Sequence, residues 1–184
     1  MRWRNLLLCA IALCITVLVV IGKTRGSETE LPITIETLAE PARWENFDDT
    51  VADAHVIVRG KVTEILSEER IPSYLLGEYE APEDVPMNQR QVYTTYTIQV
   101  LAVYKGNTKP GEELQYQHMG GKTAQLIHKV TPAPKQLSMD KEYVLLLTEK
   151  GYEVGFDQGV YDIFGENLSG YFPITFEMLD ALKE

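Results

Sequence analysis

The sequence predicts a mainly β fold, a small β-barrel or sandwich of five to seven strands. Three observations lead to this prediction. Several segments alternate apolar and polar residues and are rich in Val, Thr and Tyr, short glycine-containing turns separate them, and no repeat of 20–50 residues is present. A chain of 184 residues has the length of one domain with a short appendage.

The N-terminus has the pattern of a secretory signal or signal anchor, which we place over residues 1–26. Arg2 and Arg4 precede an apolar run from Leu6 to Gly22, which is at the lower limit of a membrane span. Basic residues before such a run favour retention of the N-terminus in the cytoplasm. The sequence therefore predicts an apolar membrane helix at the cell membrane, a single pass with the folded domain outside the cytoplasm, or a secreted protein if the segment is cleaved.

The charge is distributed unevenly and excludes one class of function. The whole chain has a net charge of −10 with 17 basic and 27 acidic residues, and residues 1–26 contain four basic residues and no acid. The remaining 158 residues therefore have 13 basic and 27 acidic residues, a net charge of −14. An acidic domain lacks the basic face that nucleic-acid binding requires. It favours a basic protein surface or a cation-bridged partner.

The first elements after the N-terminal segment are a tether and a helix. Residues 27–41 are polar and acidic, contain Pro32 and Pro41, and predict an acidic tether. Residues 42–54 carry apolar side chains at helical spacing and predict a short helix before the first strand. Residues 55–66 alternate as a strand, in which Gly60 predicts a bulge.

A long irregular segment, residues 67–91, follows the first strand. It contains three prolines and four acidic residues between Glu78 and Asp84, together with Tyr74, Leu75 and Tyr79. A loop of this length in a compact domain is mobile or functional. We therefore propose Tyr74, Leu75 and Tyr79 as binding residues, together with Tyr93, which is predicted to point outward from the next strand.

The second half of the chain continues the sheet and ends in a helix. The clearest strand covers residues 92–104, with a bulge expected near Ala102. Further strands are predicted at 113–119, 123–129, 142–148, 152–156 and 160–164. Residues 174–183 have apolar side chains at helical spacing and predict a C-terminal helix.

The chain resembles bacterial exported proteins with an OB-like barrel, similar in plan to the netrin-like domain and the tissue inhibitors of metalloproteinases. The segments that carry the resemblance are ADAHVIVRGKV at 52–62, YTTYTIQV at 93–100, VYKG at 103–106, GEEL at 111–114, GG at 120–121, YVLLL at 143–147 and GVY at 159–161. The resemblance implies that residues 42–184 form one OB-like β-barrel domain outside the cytoplasm, of a family whose bacterial members are mostly uncharacterised.

The resemblance carries over no functional residue. The tissue inhibitors insert a mature N-terminal cysteine into the protease site and depend on disulfides. This chain has no cysteine after Cys14, so its domain has neither a disulfide framework nor thiol chemistry.

The sequence contains no motif for catalysis, for a cofactor or for a metal. His118 and His128 are weak metal candidates because a hairpin could bring them together, but no HExxH or CxxC spacing is present, and zinc needs three or four ligands. Neither a nucleophile elbow nor a complete phosphate-binding loop is found. We therefore predict no cofactor and no enzymatic activity.

Taken together, these features predict a non-enzymatic extracytoplasmic binding module. It is tethered to the cell membrane of a bacterial envelope through Leu6–Gly22 and binds an envelope protein or a cell-wall polymer. One alternative is a protease inhibitor, by fold analogy alone. The other is a metal-binding domain that uses His118 and His128.

Overall fold

The computed structural model describes residues 31–40 and 43–183, and these form a mainly β fold. The predicted signal sequence or anchor, residues 1–26, lies outside the described residues. Among the residues that are described, no helix is long and apolar enough to cross a membrane.

The fold consists of two sheets and two short helices. The strands are β1 (Ile33–Leu38), β2 (Val56–Arg70), β3 (Gln91–Lys105), β4 (Glu113–Met119), β5 (Gly121–Lys122), β6 (Leu126–Thr131), β7 (Glu142–Leu147), β8 (Val160–Phe164) and β9 (Asn167–Ser169). The helices are α1 (Phe47–Asp53) and α2 (Phe176–Asp180). The larger sheet has the strand order β4-β3-β2-β7-β8-β9 and the smaller one β1-β6-β5.

The mainly β prediction is confirmed, but the predicted closed barrel is wrong. Strands β4 and β9 are the two edges of the six-stranded sheet and do not pair with each other in the part of the chain that the structure describes. A barrel needs strands long enough to tilt and meet across the gap. Strands β8 and β9 have only five and three residues, so the sheet remains open.

Both faces of the six-stranded sheet are covered, which explains its apolar strands. One face packs Val58, Ile98, Tyr116 and Leu145 into a core that Leu137 also enters. The other face holds a second core that contains residues of α1 and α2. A sheet buried on both faces needs near-continuous apolar strands, and five of the six residues of β7 are buried.

The two predicted helices are confirmed and are shorter than predicted. The Asn46 side chain caps α1 by accepting a hydrogen bond from the Asp49 backbone N–H at 2.9 Å. The Thr175 hydroxyl caps α2 by accepting from the Met178 backbone N–H at 3.3 Å.

The two predicted bulges are also confirmed. The register between β2 and β3 shifts between Arg59 and Gly60, where Leu101 is the extra residue on β3. A Cβ on Gly60 would collide with the Ile98 side chain and approach the Gln99 carbonyl oxygen to 3.0 Å, so only glycine fits where the two strands approach.

A strand occupies part of the segment that the sequence predicts to be a tether. Strand β1 pairs in parallel with β6, from Ile33 opposite Leu126 to Leu38 opposite Thr131. In its sequence ITIETL, Ile35 and Thr37 are half-buried and their neighbours Thr34, Glu36 and Leu38 are exposed, as in a half-buried strand. The flanking prolines and acidic residues favour a tether, but Pro32 precedes the strand and leaves its pairing intact.

The predicted strand at residues 152–156 is wrong. This segment is irregular and makes one isolated bridge, between Glu153 and Leu147. Gly151, Gly155 and Phe156 have φ angles of +78°, +64° and +67°. Extended pairing cannot continue through such conformations.

Candidate functional site

The irregular segment that follows β7 fills the space between β7 and the edge strand β4. The Gly151 carbonyl accepts a hydrogen bond from the Gln117 N–H of β4 at 2.9 Å, and the Val154 N–H donates to the Leu146 carbonyl of β7 at 3.0 Å. Glycine tolerates a positive φ, whereas Phe156 adopts one at a conformational cost. Strained residues of this kind cluster at functional sites.

This segment forms one wall of a cleft of about 370 Å³. The cleft is lined by Tyr93 of β3, by His118 and Met119 of β4, and by Tyr152, Glu153, Gly155 and Phe156 of the segment. Its volume is at the lower end of the range for small-molecule pockets, and its lining residues include three aromatic residues, a glutamate and a histidine.

Glu153 is the acidic residue of the cleft, and it is buried. Glu153 is 8% exposed. Burial raises the pKa of Glu153 from its ordinary 4.5 to about 8. The neighbouring Tyr116 hydroxyl lowers this pKa, and the negative charge of Asp157 raises it. The carboxyl is therefore mostly protonated at pH 7, and a nearby positive charge would favour its ionised form.

A layer of buried aromatic and polar side chains lies behind the cleft. The rings of Tyr96 and Tyr116 stack at 5.3 Å between centroids, and the His118 ring lies 5.6 Å from Tyr96 and 6.0 Å from Tyr116. The His118 Nδ1 is 2.9 Å from the Met119 carbonyl, so it carries the proton and donates. The Tyr96 hydroxyl, 3.1 Å from Nε2, then donates to His118.

The layer is uncharged and leaves hydrogen-bonding capacity unused. Burial lowers the pKa of His118, which keeps the imidazole neutral. Four buried polar atoms form no hydrogen bond of good geometry with any described residue: the Trp44 Nε1, the Tyr116 hydroxyl, the Asp157 Oδ1 and the Tyr161 hydroxyl. Buried polar groups are normally paired, and of these four the Tyr116 hydroxyl belongs to this layer.

One wall of the cleft already holds a cation on an aromatic ring. The guanidinium carbon of Arg70 lies 4.8 Å from the centroid of the Tyr93 ring. The guanidinium is fixed from the side by a hydrogen bond of 2.9 Å to the Gln117 Oε1. The electron-rich ring faces of this region are thus compatible with positive charge.

The structure places the predicted binding residues in two different regions. Tyr93 lines the Glu153 cleft, while Tyr74 and Leu75 line a second cleft beside β1. Leu75 is 7% exposed, and its role in binding stays a prediction. Tyr79 donates a hydrogen bond to Gln89 within the loop at 2.7 Å.

The two metal candidates are engaged in other bonds. The His128 Nδ1 accepts from the Val92 N–H at 3.1 Å, which leaves the Nε2 proton to donate to the Thr37 hydroxyl at 2.8 Å. Both ring nitrogens of His118 are likewise used. Within residues 31–40 and 43–183, no group of three or more His, Cys, Asp or Glu side chains could hold a metal ion.

The sequence analysis identifies Tyr93 and His118 but not Glu153, Tyr152 or Phe156. The sequence offers one indication of Glu153: it is an acidic residue between Tyr152 and Val154, in a segment whose glycines disfavour regular structure. Its burial depends on β4, which lies more than thirty residues earlier in the chain, so periodicity alone does not reveal it.

The sequence matches no protein-family model and no curated protein.

Proposed function

We propose that this protein is a non-enzymatic binding module of the bacterial cell envelope whose Glu153 cleft binds an ammonium group. The group is carried by an envelope protein or a cell-wall polymer. The observation that supports the proposal is the buried residue Glu153, which belongs to the lining of a small aromatic cleft and has no positively charged partner among the described residues.

Ionisation of a buried carboxyl is unfavourable in the absence of a positive charge, and a cationic ligand makes it favourable. At pH 7 the cost of desolvation keeps Glu153 mostly protonated when the cleft holds no cation. An ammonium group within a few ångströms stabilises the carboxylate, and the two charges interact strongly because little water separates them. Binding is therefore coupled to the release of a proton from Glu153.

The aromatic lining favours the same chemistry. Tyr93, Tyr152 and Phe156 line the same cleft as Glu153, and an aromatic face attracts an ammonium group by about 0.5–2 kcal/mol. A primary ammonium can also donate hydrogen bonds to the carboxylate, whereas a quaternary ammonium cannot. We therefore expect a primary amine, such as a lysine side chain, to bind more tightly than a quaternary one.

The location outside the cytoplasm rests on the sequence. A basic N-terminus before an apolar run and the resemblance to exported netrin-like proteins support it, as does a domain without cysteine. Free amino groups of peptide side chains are available on envelope proteins and on peptide-containing wall polymers. The protease-inhibitor hypothesis and the His118/His128 metal hypothesis stay predictions that no observation on the structure favours.

The test is a binding titration with a lysine side-chain analogue. Nα-acetyl-lysine methylamide is titrated into the full chain in non-ionic detergent at pH 8 and followed by NMR. Glu153→Gln removes the charge while keeping the shape, and we expect it to weaken binding by about tenfold or more. The control is Glu166→Gln, since Glu166 is an exposed acid outside the cleft lining.

Two results would count against the proposal. One is equal affinity of the analogue for the wild type and Glu153→Gln. The other is equal affinity for the analogue and for its uncharged counterpart, Nα-acetyl-norleucine methylamide, because then the ammonium group contributes nothing.

A further inference from the structure

Strand β1 is an edge strand whose outer backbone groups have no partner among the described residues. It is the last strand of the order β1-β6-β5, and its pairing with β6 is regular from Ile33 to Leu38. The Ile33 N–H donates to the Gln125 carbonyl, and the Ala39 N–H donates to the Thr131 carbonyl. Backbone groups alternate along a strand, so the odd-numbered residues face β6.

The even-numbered residues therefore direct their N–H and C=O groups away from the sheet. Within residues 31–40 and 43–183, no backbone or side-chain hydrogen bond reaches these groups of Thr34, Glu36 and Leu38. Natural edge strands are usually protected by a proline, a charged side chain, a bulge or a covering element. The six residues of β1 contain neither a proline nor a bulge, and Glu36 is their one charged residue.

A cleft of about 410 Å³ runs beside this edge. Ile35, Glu36 and Thr37 form its strand side, and Tyr74, Leu75, Glu78 and residues 88–91 form its loop side. Successive side chains of a strand point to opposite faces of the sheet. A cleft that is lined by three consecutive residues therefore lies along the edge of the strand.

The rim of this cleft is acidic and partly apolar. Glu36 and Glu78 are exposed acids of the lining, and the exposed side chain of Tyr74 offers apolar surface. Glu36 makes an exposed ion pair of 3.7 Å with Lys129 of β6, whereas Glu78 has no ion pair among the described residues. The one arginine of the lining, Arg90, is committed to the loop. Its guanidinium donates to the carbonyls of residues 82, 83 and 85 and pairs with a glutamate of β2 at 3.6 Å.

We infer that β1 is a docking edge for an extended, basic peptide segment of a partner protein, which adds a further strand beside β1. Main-chain hydrogen bonds to Thr34, Glu36 and Leu38 supply affinity, and the acidic rim selects basic side chains. The cleft bounded by the 71–90 loop receives alternate side chains of the peptide. This site is separate from the Glu153 cleft and does not depend on its ligand.

The test uses a backbone substitution that acts on the open side of β1 alone. Glu36→Pro removes the outward N–H without touching a hydrogen bond to β6, and edge strands accept proline at such positions. Glu36→Gln is the matched control, since it removes the same charge and keeps the N–H. The probe is a fluorescein-labelled six-residue peptide that alternates lysine and valine, measured by anisotropy with the full chain in detergent.

We expect Glu36→Pro to weaken peptide binding by about tenfold or more, and Glu36→Gln by about threefold or less. A peptide that is N-methylated at every second residue should bind the protein without Glu36→Pro as weakly as the unmethylated peptide binds the Glu36→Pro variant. All proteins in this comparison carry Glu153→Gln, so that the lysine side chains of the probe cannot use the Glu153 cleft. Equal binding with and without Glu36→Pro in this background would overturn the inference.

Hydrogen exchange decides the matter if Glu36→Pro does not fold. In the wild type, the amides of Thr34, Glu36 and Leu38 should gain protection when the peptide is added, and unchanged exchange would exclude strand addition there. Sedimentation of the wild type without peptide tests whether a second copy of the chain occupies the edge. A dimer that Glu36→Pro dissociates would assign the edge to a second copy of the chain and overturn the peptide proposal.

Discussion

Replacing Glu153 by glutamine should stabilise the protein, and the gain should increase with pH. The pKa of Glu153 rises from 4.5 to about 8 on folding because the side chain is buried. Between these values the folded chain holds a proton that the unfolded chain releases. The free energy of unfolding therefore falls as the pH rises, by about 1.4 kcal/mol per pH unit.

The total effect is large on the scale of a single domain. The two pKa values correspond to about 5 kcal/mol, which is lost between pH 4.5 and about 8 and stays constant above that. Glutamine is neutral throughout, so Glu153→Gln should match the wild type near pH 4.5. By pH 8 the variant should be more stable by an amount approaching about 5 kcal/mol.

Urea unfolding followed by circular dichroism at pH 5, 6, 7 and 8 measures this difference. All other titrating groups are the same in both proteins, so the pH dependence of the difference belongs to Glu153. Glu166→Gln should differ from the wild type by less than about 0.5 kcal/mol at every pH, because Glu166 is exposed. A gain for Glu153→Gln that does not change with pH would refute the reasoning.

Three further predictions concern a buried glutamine, a glycine of the irregular segment and the two buried histidines. Gln158→Leu should destabilise the fold by about 2–4 kcal/mol in urea unfolding, because the Gln158 side chain pairs both the N–H and the carbonyl of Trp44, at 2.7 and 2.8 Å. Gly155→Ala should cost about 1–3 kcal/mol in the same assay, since φ is +64° and an added Cβ would collide with the Gln158 side chain. Burial lowers the pKa of both His118 and His128, so their stabilising contribution is complete above pH 6.5 and is lost as the pH falls below it. NMR titration of their imidazole protons should therefore give midpoints below 6.5, and midpoints above that value would contradict the burial of the two rings.

Local patterns predict much of the sheet. The alternation in β3 and the apolar run in β7 predict both strands to within about a residue or two, and Gly60 predicts its own bulge. These features depend on neighbours along the chain. The helices α1 and α2 are predicted for the same reason, because the spacing of their apolar residues places these residues on one helix face, which packs on the sheet.

The elements that the sequence does not predict depend on contacts far along the chain. Strand β1 exists because β6, about ninety residues later, offers a parallel partner, and local composition favours a tether instead. The closure of the barrel depends on the lengths of β8 and β9 relative to the gap that they would have to cross.

The candidate site follows the same rule. The pKa of Glu153 is set by burial beneath β4 and β7, and nothing in the Tyr-Glu-Val segment itself distinguishes this acid from an exposed one. Tyr93 and His118 are found because their strands are found. What brings them to Glu153 is the irregular segment after β7, whose positive φ angles are not readable from alternation.

The number of protons released on binding tests the central claim most directly. With a pKa of about 8, Glu153 is about nine-tenths protonated at pH 7, so binding of an ammonium group to its carboxylate should release about 0.9 proton. Calorimetric titration of Nα-acetyl-lysine methylamide in buffers of different ionisation enthalpy measures this number. Release of about 0.9 proton by the wild type and none by Glu153→Gln is the predicted result, and binding to the wild type without proton release would contradict the account.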